Sequence, residues 1–278
     1  MRVGLINTFD EQTDSAVAWQ IEQVRTGNLD ELWLASPHED ACQIAIDLGL
    51  ELHQVYDLYS QTYLAEQVDG EGLWFYDLPV PNQAQLVVNQ DWSKSIVSSG
   101  RVLADVRWFA NSNRLVQAVT WLTAAGQVDR KDIYQRNGRL FAKQYFHNGQ
   151  LLQSDFYLDA KKILVQDFYF QGLRNLVIDQ RGQQYPSAEN YLKAVMMAKK
   201  NYQIQISRFG REFDLAIPGT TLVLPTGVLD EQQEIIPALK EVLLQKNHVI
   251  TKVLVRPADY AILESAGLPL NKVDQLDE

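Results

Sequence analysis

The sequence is short of cysteine, histidine and basic residues, and each shortage excludes a class of protein. Cys42 is the only cysteine, so no disulfide can form within the chain. The 4 histidines include no His-x-x-x-His pair, which argues against a metal site. The chain has 25 Lys and Arg against 35 Asp and Glu, which gives a net charge of -10. Because nucleic acids and anionic membranes attract clustered basic residues, neither is an expected partner.

Long apolar runs and phosphate-binding glycine loops are also missing from the sequence. No apolar stretch approaches the length of a membrane span, and the N-terminus is too short and acidic for a signal peptide, so we expect a cytoplasmic protein without integral membrane contact. No Gly-x-Gly-x-x-Gly, P-loop, Asp-x-Asp or Gly-x-Ser-x-Gly motif occurs. The sequence therefore predicts no cofactor, no metal and no catalytic residue.

What the sequence does contain is a series of regularly spaced turns in its middle third. Glycine-bearing or polar turns recur every ten to twelve residues, at 124–126, 136–138, 147–149, 159–161, 170–172 and 180–182. Two of them, Asn137-Gly138 and Asn148-Gly149, carry the pair that favours a type I′ hairpin. Each interval fits one strand and one tight connection. The spacing therefore predicts a long antiparallel β-meander.

The strands of this meander share a signature in which Asp or Gln precedes two large apolar or aromatic residues. Alternation along a strand places an Asp and the Tyr two residues later on one face. Rings beside carboxylates can hold an extended peptide or a sugar by stacking and hydrogen bonding. The alternative is a core face, with the tyrosine hydroxyls at its edge and the aspartates supporting turns. The candidate acceptor-binding residues are Asp132, Tyr134, Asp155, Tyr157, Asp167 and Tyr169.

Strands and helices alternate at both ends of the chain. The patterns predict strand 2–9, helix 13–27, strand 32–35 and a helix capped by Ser36 and closed by Gly49. Period-two segments at 73–78, 84–89, 102–109 and 114–122 lead into the meander. After it we expect helix 188–200, a hairpin of 203–208 with 212–217, strand 221–224, helix 230–246, strand 249–255 and a helix from Pro257 to Gly267.

These patterns predict an α/β fold, a Rossmann-like layer built from both chain ends with a long inserted antiparallel β-meander. The expected divisions are 1–72 as the first part of the α/β domain, 73–186 as the meander, 187–270 as the return to the α/β domain and 271–278 as a polar tail.

Three segments of the sequence carry a resemblance to a known family. They are Leu73-Trp74-Phe75-Tyr76-Asp77-Leu78-Pro79-Val80-Pro81, Arg114-Leu115-Val116-Gln117-Ala118-Val119-Thr120-Trp121-Leu122 followed by Gly126, and Tyr134-Gln135-Arg136-Asn137-Gly138-Arg139-Leu140-Phe141-Ala142-Lys143-Gln144-Tyr145-Phe146. The chain resembles the β-meander domain of the two-subunit O-linked GlcNAc transferase that modifies serine-rich repeat adhesins before accessory-Sec export. It is most similar to the non-catalytic, glycosyltransferase-stabilising subunit.

The resemblance implies a GT-B-like N-terminal half and a non-catalytic role in a protein O-glycosyltransferase complex. In that family the catalytic subunit binds UDP-GlcNAc, largely through a C-terminal Rossmann domain, and the stabilising subunit helps to bind the acceptor. The implied partners are thus a catalytic glycosyltransferase subunit, for which this chain acts as a chaperone, and a Ser/Thr-rich acceptor polypeptide. After Gly267 we expect no room for a second Rossmann domain, so catalysis by this chain alone is not expected.

Two alternatives are left open. One is a compact UDP-sugar-dependent glycosyltransferase that holds the donor phosphates near Thr226-Gly227, at the N-terminus of the helix predicted from Asp230. The other is a self-associating β-sheet scaffold, a homo-oligomer that pairs its exposed sheet edges.

Overall fold

A computed structural model describes residues 1–66, 72–112, 114–157 and 162–276. The strands are β1 Arg2–Ile6, β2 Glu31–Leu34, β3 Val55–Asp57, β4 Thr62–Tyr63, β5 Gln85–Val88, β6 Lys94–Ser98, β7 Arg101–Trp108, β8 Val116–Leu122, β9 Val128–Tyr134, β10 Leu140–His147, β11 Gln150–Phe156, β12 Val165–Phe170, β13 Leu173–Asp179, β14 Gln184–Tyr185, β15 Gln203–Ile206, β16 Thr220–Leu224, β17 Ile250–Val255 and β18 Val273–Gln275. The helices are α1 Ser15–Arg25, α2 Ala41–Asp47, α3 Ala188–Ala198, α4 Arg211–Asp214, α5 Pro237–Leu244 and α6 Pro257–Ser265. Short 3-10 turns occur at Phe9–Glu11, Leu52–Gln54 and Phe75–Asp77.

The chain folds into two units, one comprising Met1–Ala65 with Leu192–Glu278 and the other Glu66–Tyr191. The first unit contains a sheet with the strand order β18-β17-β16-β15-β1-β2-β3-β4. Its neighbouring strands are parallel, except that β4 runs antiparallel to β3. Strand β1 lies between β2 and β15, so the sheet is built from both chain ends. The predicted Rossmann-like layer is confirmed.

Helix α1 shows how the sequence determines this layer. The Asp14 carboxylate caps it by accepting hydrogen bonds from the backbone N–H groups of Ala16 and Val17, at 2.9 and 3.1 Å. Val17, Ile21 and Val24 recur at helical spacing and are buried. They belong to a core cluster that also contains side chains of β2 and α2, so the periodic apolar face attaches the helix to the sheet.

Three predictions about this unit are wrong. The second helix begins at Ala41 and not at Ser36, because the Ser36 hydroxyl is engaged with Asn7 and Arg211 instead of capping. The segment from Gln203 is not half of a hairpin, since β15 pairs in parallel with β1 and β16, and the second half of the predicted hairpin contains α4. No helix starts at Asp230, whose carboxylate accepts two backbone N–H groups and closes a turn.

The second unit contains an antiparallel sheet of ten described strands in the order β14-β13-β12-β11-β10-β9-β8-β7-β6-β5. Each strand pairs with its neighbour in sequence, so the predicted long meander is confirmed. The strand predicted at 73–78 is wrong, because Phe75–Asp77 forms a 3-10 turn that buries the Phe75 ring in a cluster with Ile96 and Val119. Strand β6 was not predicted.

The turn chemistry is only partly as predicted. Asn148 and Gly149 both have positive φ, 48° and 76°, as a type I′ turn requires. At Asn137-Gly138 only Gly138 has positive φ, at 81°, so the predicted type I′ turn is wrong there. The expected turn at 159–161 lies outside the described residues. Among the helices that the structure describes, none is long and apolar enough to cross a membrane.

Candidate functional site

The strand register divides the six predicted acceptor residues between the two faces of the antiparallel sheet. Lys143 on β10 lies opposite both Asp132 on β9 and Asp155 on β11, so these two carboxylates share a face. Asp167 on β12 lies opposite Ser154, the residue before Asp155. Because successive side chains alternate, Asp167 lies on the other face. The structure brings Asp132 and Asp155 to one side, and Asp167 is separate from them.

The face that carries Asp132 and Asp155 is called here the tyrosine face. Both carboxylates are buried, at 5% and 4% exposure. Asp132 accepts hydrogen bonds from the Trp121 indole at 2.8 Å and the Arg130 guanidinium at 3.1 Å. Asp155 accepts from the side-chain amides of Gln153 and Gln166, at 2.7 and 2.8 Å. Each buried carboxylate therefore has its own donors within the sheet, as burial of a charge requires.

The tyrosines of this face are only half-buried. Tyr134 packs against the core cluster around Phe75, and burial, followed by the charge of Asp132, raises its pKa to about 12. The pKa of Tyr157 is raised by burial, then by the charges of Asp155 and Asp132. Both phenols are therefore neutral donors near pH 7. Tyr157 follows the end of β11, where its hydroxyl lies within the electrostatic reach of both aspartates.

On the opposite face, Asp167 and Tyr169 make a separate arrangement. The Asp167 carboxylate is fully buried, and its Oδ2 lies 3.3 Å from Nε of Arg174. The Arg174 guanidinium also lies 5.6 Å from the centre of the Tyr169 ring. The Tyr169 hydroxyl is 3.5 Å from Oγ of Ser154. These contacts link β11, β12 and β13, so Asp167 and Tyr169 have a structural role within the sheet.

The sequence analysis missed Tyr145 as a member of the tyrosine face. Tyr145 lies opposite Arg130 on β9 and Gln153 on β11, so its half-buried ring is on the side of Asp132 and Asp155. Burial raises its pKa first, followed by the charges of Asp155 and Tyr157. The signal was present in the repeated signature Gln144-Tyr145-Phe146. There the Tyr directly follows the polar residue, whereas in the Asp signatures it comes two residues after the Asp.

A second feature of the same unit, the aromatic cavity, also escaped the sequence analysis. It has a volume of about 650 Å³ and is lined by Trp74, Phe75, Tyr76, Asp77, Trp108, Ser112 and Arg114. The Phe75 ring is fully buried and lies 5.6 Å from Trp108, edge to face. Trp74 and Tyr76, on either side of Phe75, are exposed at 41% and 62%. The 3-10 turn thus anchors one ring and presents two.

In the first unit, charged side chains meet at the carboxyl ends of β1, β2 and β15. This is the switch point of an open α/β sheet, where chain connections diverge and ligands often bind. The Arg208 guanidinium contacts the carboxylates of Glu11, Asp14 and Glu212. Burial alone would lower the pKa of Arg208, but the hydrogen bonds and charges of Glu212 and then Glu11 raise it above its usual range.

Arg211 completes this cluster. Its Nη1 donates to Oδ1 of Asn7 at 3.0 Å and to Oγ of Ser36 at 2.7 Å. The buried Glu212 carboxylate accepts from the backbone N–H of Asn7 at 2.7 Å. The arginines therefore join the loops after the three strands. Because three carboxylates surround Arg208, this edge is a poor site for the diphosphate of a sugar nucleotide.

The alternative donor site near Thr226-Gly227 loses its expected helix, since α5 begins only at Pro237. A side chain at Gly227 would meet Nη2 of Arg256 at 2.8 Å, and Arg256 is itself paired with the buried Asp259, Nε to Oδ2 at 2.5 Å. Within the described ranges, no group of three His, Cys, Asp or Glu residues is arranged to hold a metal ion.

One more buried charge in the first unit is enclosed by aromatic rings. The Glu31 carboxylate, 4% exposed, accepts from the Trp33 indole at 2.8 Å and the Tyr63 hydroxyl at 2.6 Å. Nζ of Lys199 lies 3.4 Å from the centre of the Tyr56 ring, and within 6 Å of the rings of Trp33, Tyr63 and Tyr202. Burial lowers the pKa of Lys199. This cluster joins β2, β3 and β4 to the end of α3.

Comparison with known proteins places these features in a family context. Residues 86–185, which contain nearly the whole antiparallel sheet, match the model of the GtfB middle domain. The match supports the resemblance stated from the sequence, to a GtfB-like subunit of the accessory Sec glycosylation system. No curated protein sequence matches the chain significantly.

Solved structures share the fold over the whole chain at low identity. A complex of accessory secretory proteins 1, 2 and 3 from Streptococcus pneumoniae matches with a TM-score of 0.74 and 10% identity, covering 100% of this chain and 62% of that chain. The pneumococcal O-GlcNAc transferase GtfA with UDP and GlcNAc gives 0.73 and 13%, with 99% and 59% covered. A GtfA/B complex bound to UDP and GlcNAc gives 0.67 and 14%, with 99% and 61% covered. The chain thus spans about three fifths of the length of these relatives.

Proposed function

We propose that this chain, whose residues 86–185 match the GtfB middle domain, is a non-catalytic subunit of a protein O-glycosyltransferase complex. In this role it stabilises a catalytic glycosyltransferase partner in the cytoplasm and binds a Ser/Thr-rich acceptor polypeptide. The observation that carries the proposal is the family match, which falls on the meander itself and not on the more widely distributed α/β layer. The fold shared with the GtfA/B complex over 99% of this chain supports it.

The carboxyl edge of the parallel sheet counts against the alternative of a compact glycosyltransferase. A donor diphosphate needs unpaired cations or exposed backbone N–H groups at a helix N-terminus. Here Arg208 is surrounded by Glu11, Asp14 and Glu212, and Arg256 is paired with Asp259. The described residues of this edge therefore offer structural ion pairs in place of a donor site, which counts against the compact glycosyltransferase with its donor in this layer.

We place the acceptor on the tyrosine face of the meander. The half-buried Tyr145 and Tyr157 present neutral hydroxyls beside Asp155. The Gln153 and Gln166 amides donate to Asp155 and thereby fix their own orientation. Extended main chain can lie across such a row, with ring surfaces for packing and amide oxygens to accept from Ser and Thr hydroxyls. Asp132 and Asp155 act as supports, because both are buried.

The test is fluorescence-anisotropy binding of a labelled, unglycosylated Ser/Thr-rich polypeptide to the purified chain. We expect saturable binding, weakened about tenfold by Tyr157→Ala, since an interface ring of this kind contributes more than about 1 kcal/mol. Tyr169→Ala on the opposite face is the matched control and should leave the affinity unchanged. Equal losses in the two folded variants would refute the assignment to the tyrosine face.

Two further measurements separate the proposal from its alternatives. Saturable binding of UDP-GlcNAc to the chain alone would favour the compact glycosyltransferase. Concentration-dependent sedimentation as an oligomer, without polypeptide binding, would favour the self-associating scaffold.

A further inference from the structure

The aromatic cavity combines features that the tyrosine face lacks. Trp74 and Tyr76 expose large parts of their rings at the rim, and the ring between them in sequence, Phe75, is fully buried. The backbone N–H of Phe75 donates to the Arg114 carbonyl at 3.0 Å, and Trp74 forms an isolated antiparallel β-bridge with Leu115. The exposed rings are thus held on a fixed segment. Large exposed aromatic side chains around a cavity of this size are typical of a ligand site.

Polar groups of both signs accompany the rings. The Arg114 guanidinium lies 5.7 Å from the centre of the Tyr76 ring, and the Asp77 carboxylate lines the same cavity. Arg114 has a φ of 76°, in the region that non-glycine residues rarely adopt. Such backbone strain is concentrated at ligand sites, where it fixes a side chain in position. Because one carboxylate offsets one guanidinium, a neutral ligand suits the cavity better than a diphosphate.

We propose that the aromatic cavity is a carbohydrate subsite for a neutral pyranose sugar. The apolar C–H face of the sugar packs on the exposed rings of Trp74 and Tyr76, and its hydroxyls bond to Asp77 and Arg114. The cavity volume of about 650 Å³ accommodates one or two sugar rings. This inference goes beyond the proposed function, because the acceptor was placed on other residues and no sugar was assigned to this chain. The sugar is either free or already attached to a polypeptide.

The experiment is a ligand-observed NMR titration of the full chain with three probes. They are free N-acetylglucosamine, a Ser/Thr peptide carrying one O-linked N-acetylglucosamine, and the same peptide without sugar. We expect saturable binding of a sugar-bearing probe, weakened about tenfold by Trp74→Ala through loss of ring packing. Trp92→Ala is the matched control, because Trp92 is 77% exposed at the tip of another hairpin of the same unit and does not line the cavity.

The outcomes separate this inference from the proposed function. Tighter binding of the glycopeptide than of both the free sugar and the unmodified peptide supports the subsite and identifies a sugar on a polypeptide. Saturable binding of the free sugar with the same affinity as the glycopeptide supports it with free sugar as the source. The inference is overturned if the free sugar shows no saturable binding and the glycopeptide binds no more tightly than the unmodified peptide. Equal affinities of the Trp74→Ala and Trp92→Ala variants for the sugar probes also overturn it. The unmodified peptide reports on the tyrosine face alone, so its binding stands or fails independently.

Discussion

Two Asn-Gly turns of the meander differ in what surrounds their glycines, and this difference yields a stability prediction. Gly138 and Gly149 have nearly the same φ, 81° and 76°. A methyl group at Gly149 would meet nothing within 4 Å, whereas at Gly138 it would lie 2.6 Å from the backbone nitrogen of Leu73 and 2.8 Å from the carbonyl carbon of Gly72. The two positions therefore share the conformational cost of alanine, and only Gly138 adds a backbone clash.

The conformational cost of alanine in the left-handed region is about 1–2 kcal/mol. Relief of a contact below 3 Å with backbone adds about 1–3 kcal/mol, as other overpacking does. We therefore expect Gly149→Ala to lower the free energy of unfolding by about 1 kcal/mol and Gly138→Ala by about 3 kcal/mol.

The assay for this pair is urea denaturation followed by tryptophan fluorescence. Four of the six tryptophans, Trp74, Trp92, Trp108 and Trp121, belong to the unit that contains the meander. The linear extrapolation gives a free energy of unfolding for each variant, and the midpoint shift is compared at equal slope. Equal destabilisation by the two substitutions would refute the close approach of the Gly138 turn to the segment at Leu73.

Two other predictions concern buried carboxylates of the first unit. Tyr63→Phe removes the hydroxyl that donates to Glu31. Because Tyr63 is 38% exposed, we expect the free energy of unfolding, measured in urea, to fall by only about 1 kcal/mol. The exposed control Tyr76→Phe should leave it unchanged. Burial raises the pKa of Asp57 to about 6 from 3.8, so its contribution to stability is complete below pH 3.8 and is lost as the pH rises through 6. Asp57→Asn should remove this loss, about 2 kcal/mol between pH 4 and pH 7, and an identical pH profile in both proteins would contradict the prediction.

The sequence predicted the architecture because its strongest signals are local. Turn residues at intervals of ten to twelve residues indicated the meander without knowledge of any distant contact, and Asp14 before a periodic apolar face indicated α1. The errors came where local patterns are ambiguous. The segment 203–217 has alternating apolar residues, yet β15 is a central parallel strand, and its neighbours come from distant parts of the chain.

The candidate sites were harder to predict, since they depend on register. Which face a side chain occupies follows from pairing across strands, and a shift of one residue moves it to the other face. From the sequence alone, Asp155 and Asp167 are equivalent candidates, but the pairing of Asp167 with Ser154 separates them. The aromatic cavity was hidden for a different reason. Alternation suggested a strand at 73–78, and only the 3-10 turn there exposes the rings on both sides of Phe75.

The strand register also keeps the carboxylates of the repeated signature apart. Asp132 lies opposite Lys143, Asp155 opposite Gln166 and Asp167 opposite Val177, so no signature carboxylate faces another on a neighbouring strand. Like charges directly opposite one another are destabilising. On the tyrosine face, Asp132 and Asp155 are separated by the strand that carries Lys143, a spacing of about 10 Å between their strands.

Because the signature residues of neighbouring strands are out of register, each buried carboxylate stays beside its own donors. On the tyrosine face the carboxylates therefore lie on alternate strands, β9 and β11. If the proposed function is correct, an acceptor that crosses the tyrosine face meets isolated polar supports with tyrosine rings between them, and not a continuous acidic row. Removal of one ring, Tyr145 or Tyr157, should accordingly weaken acceptor binding without unfolding the sheet. Replacement of Asp155 by Ala should do both, because Gln153 and Gln166 then lose their shared acceptor.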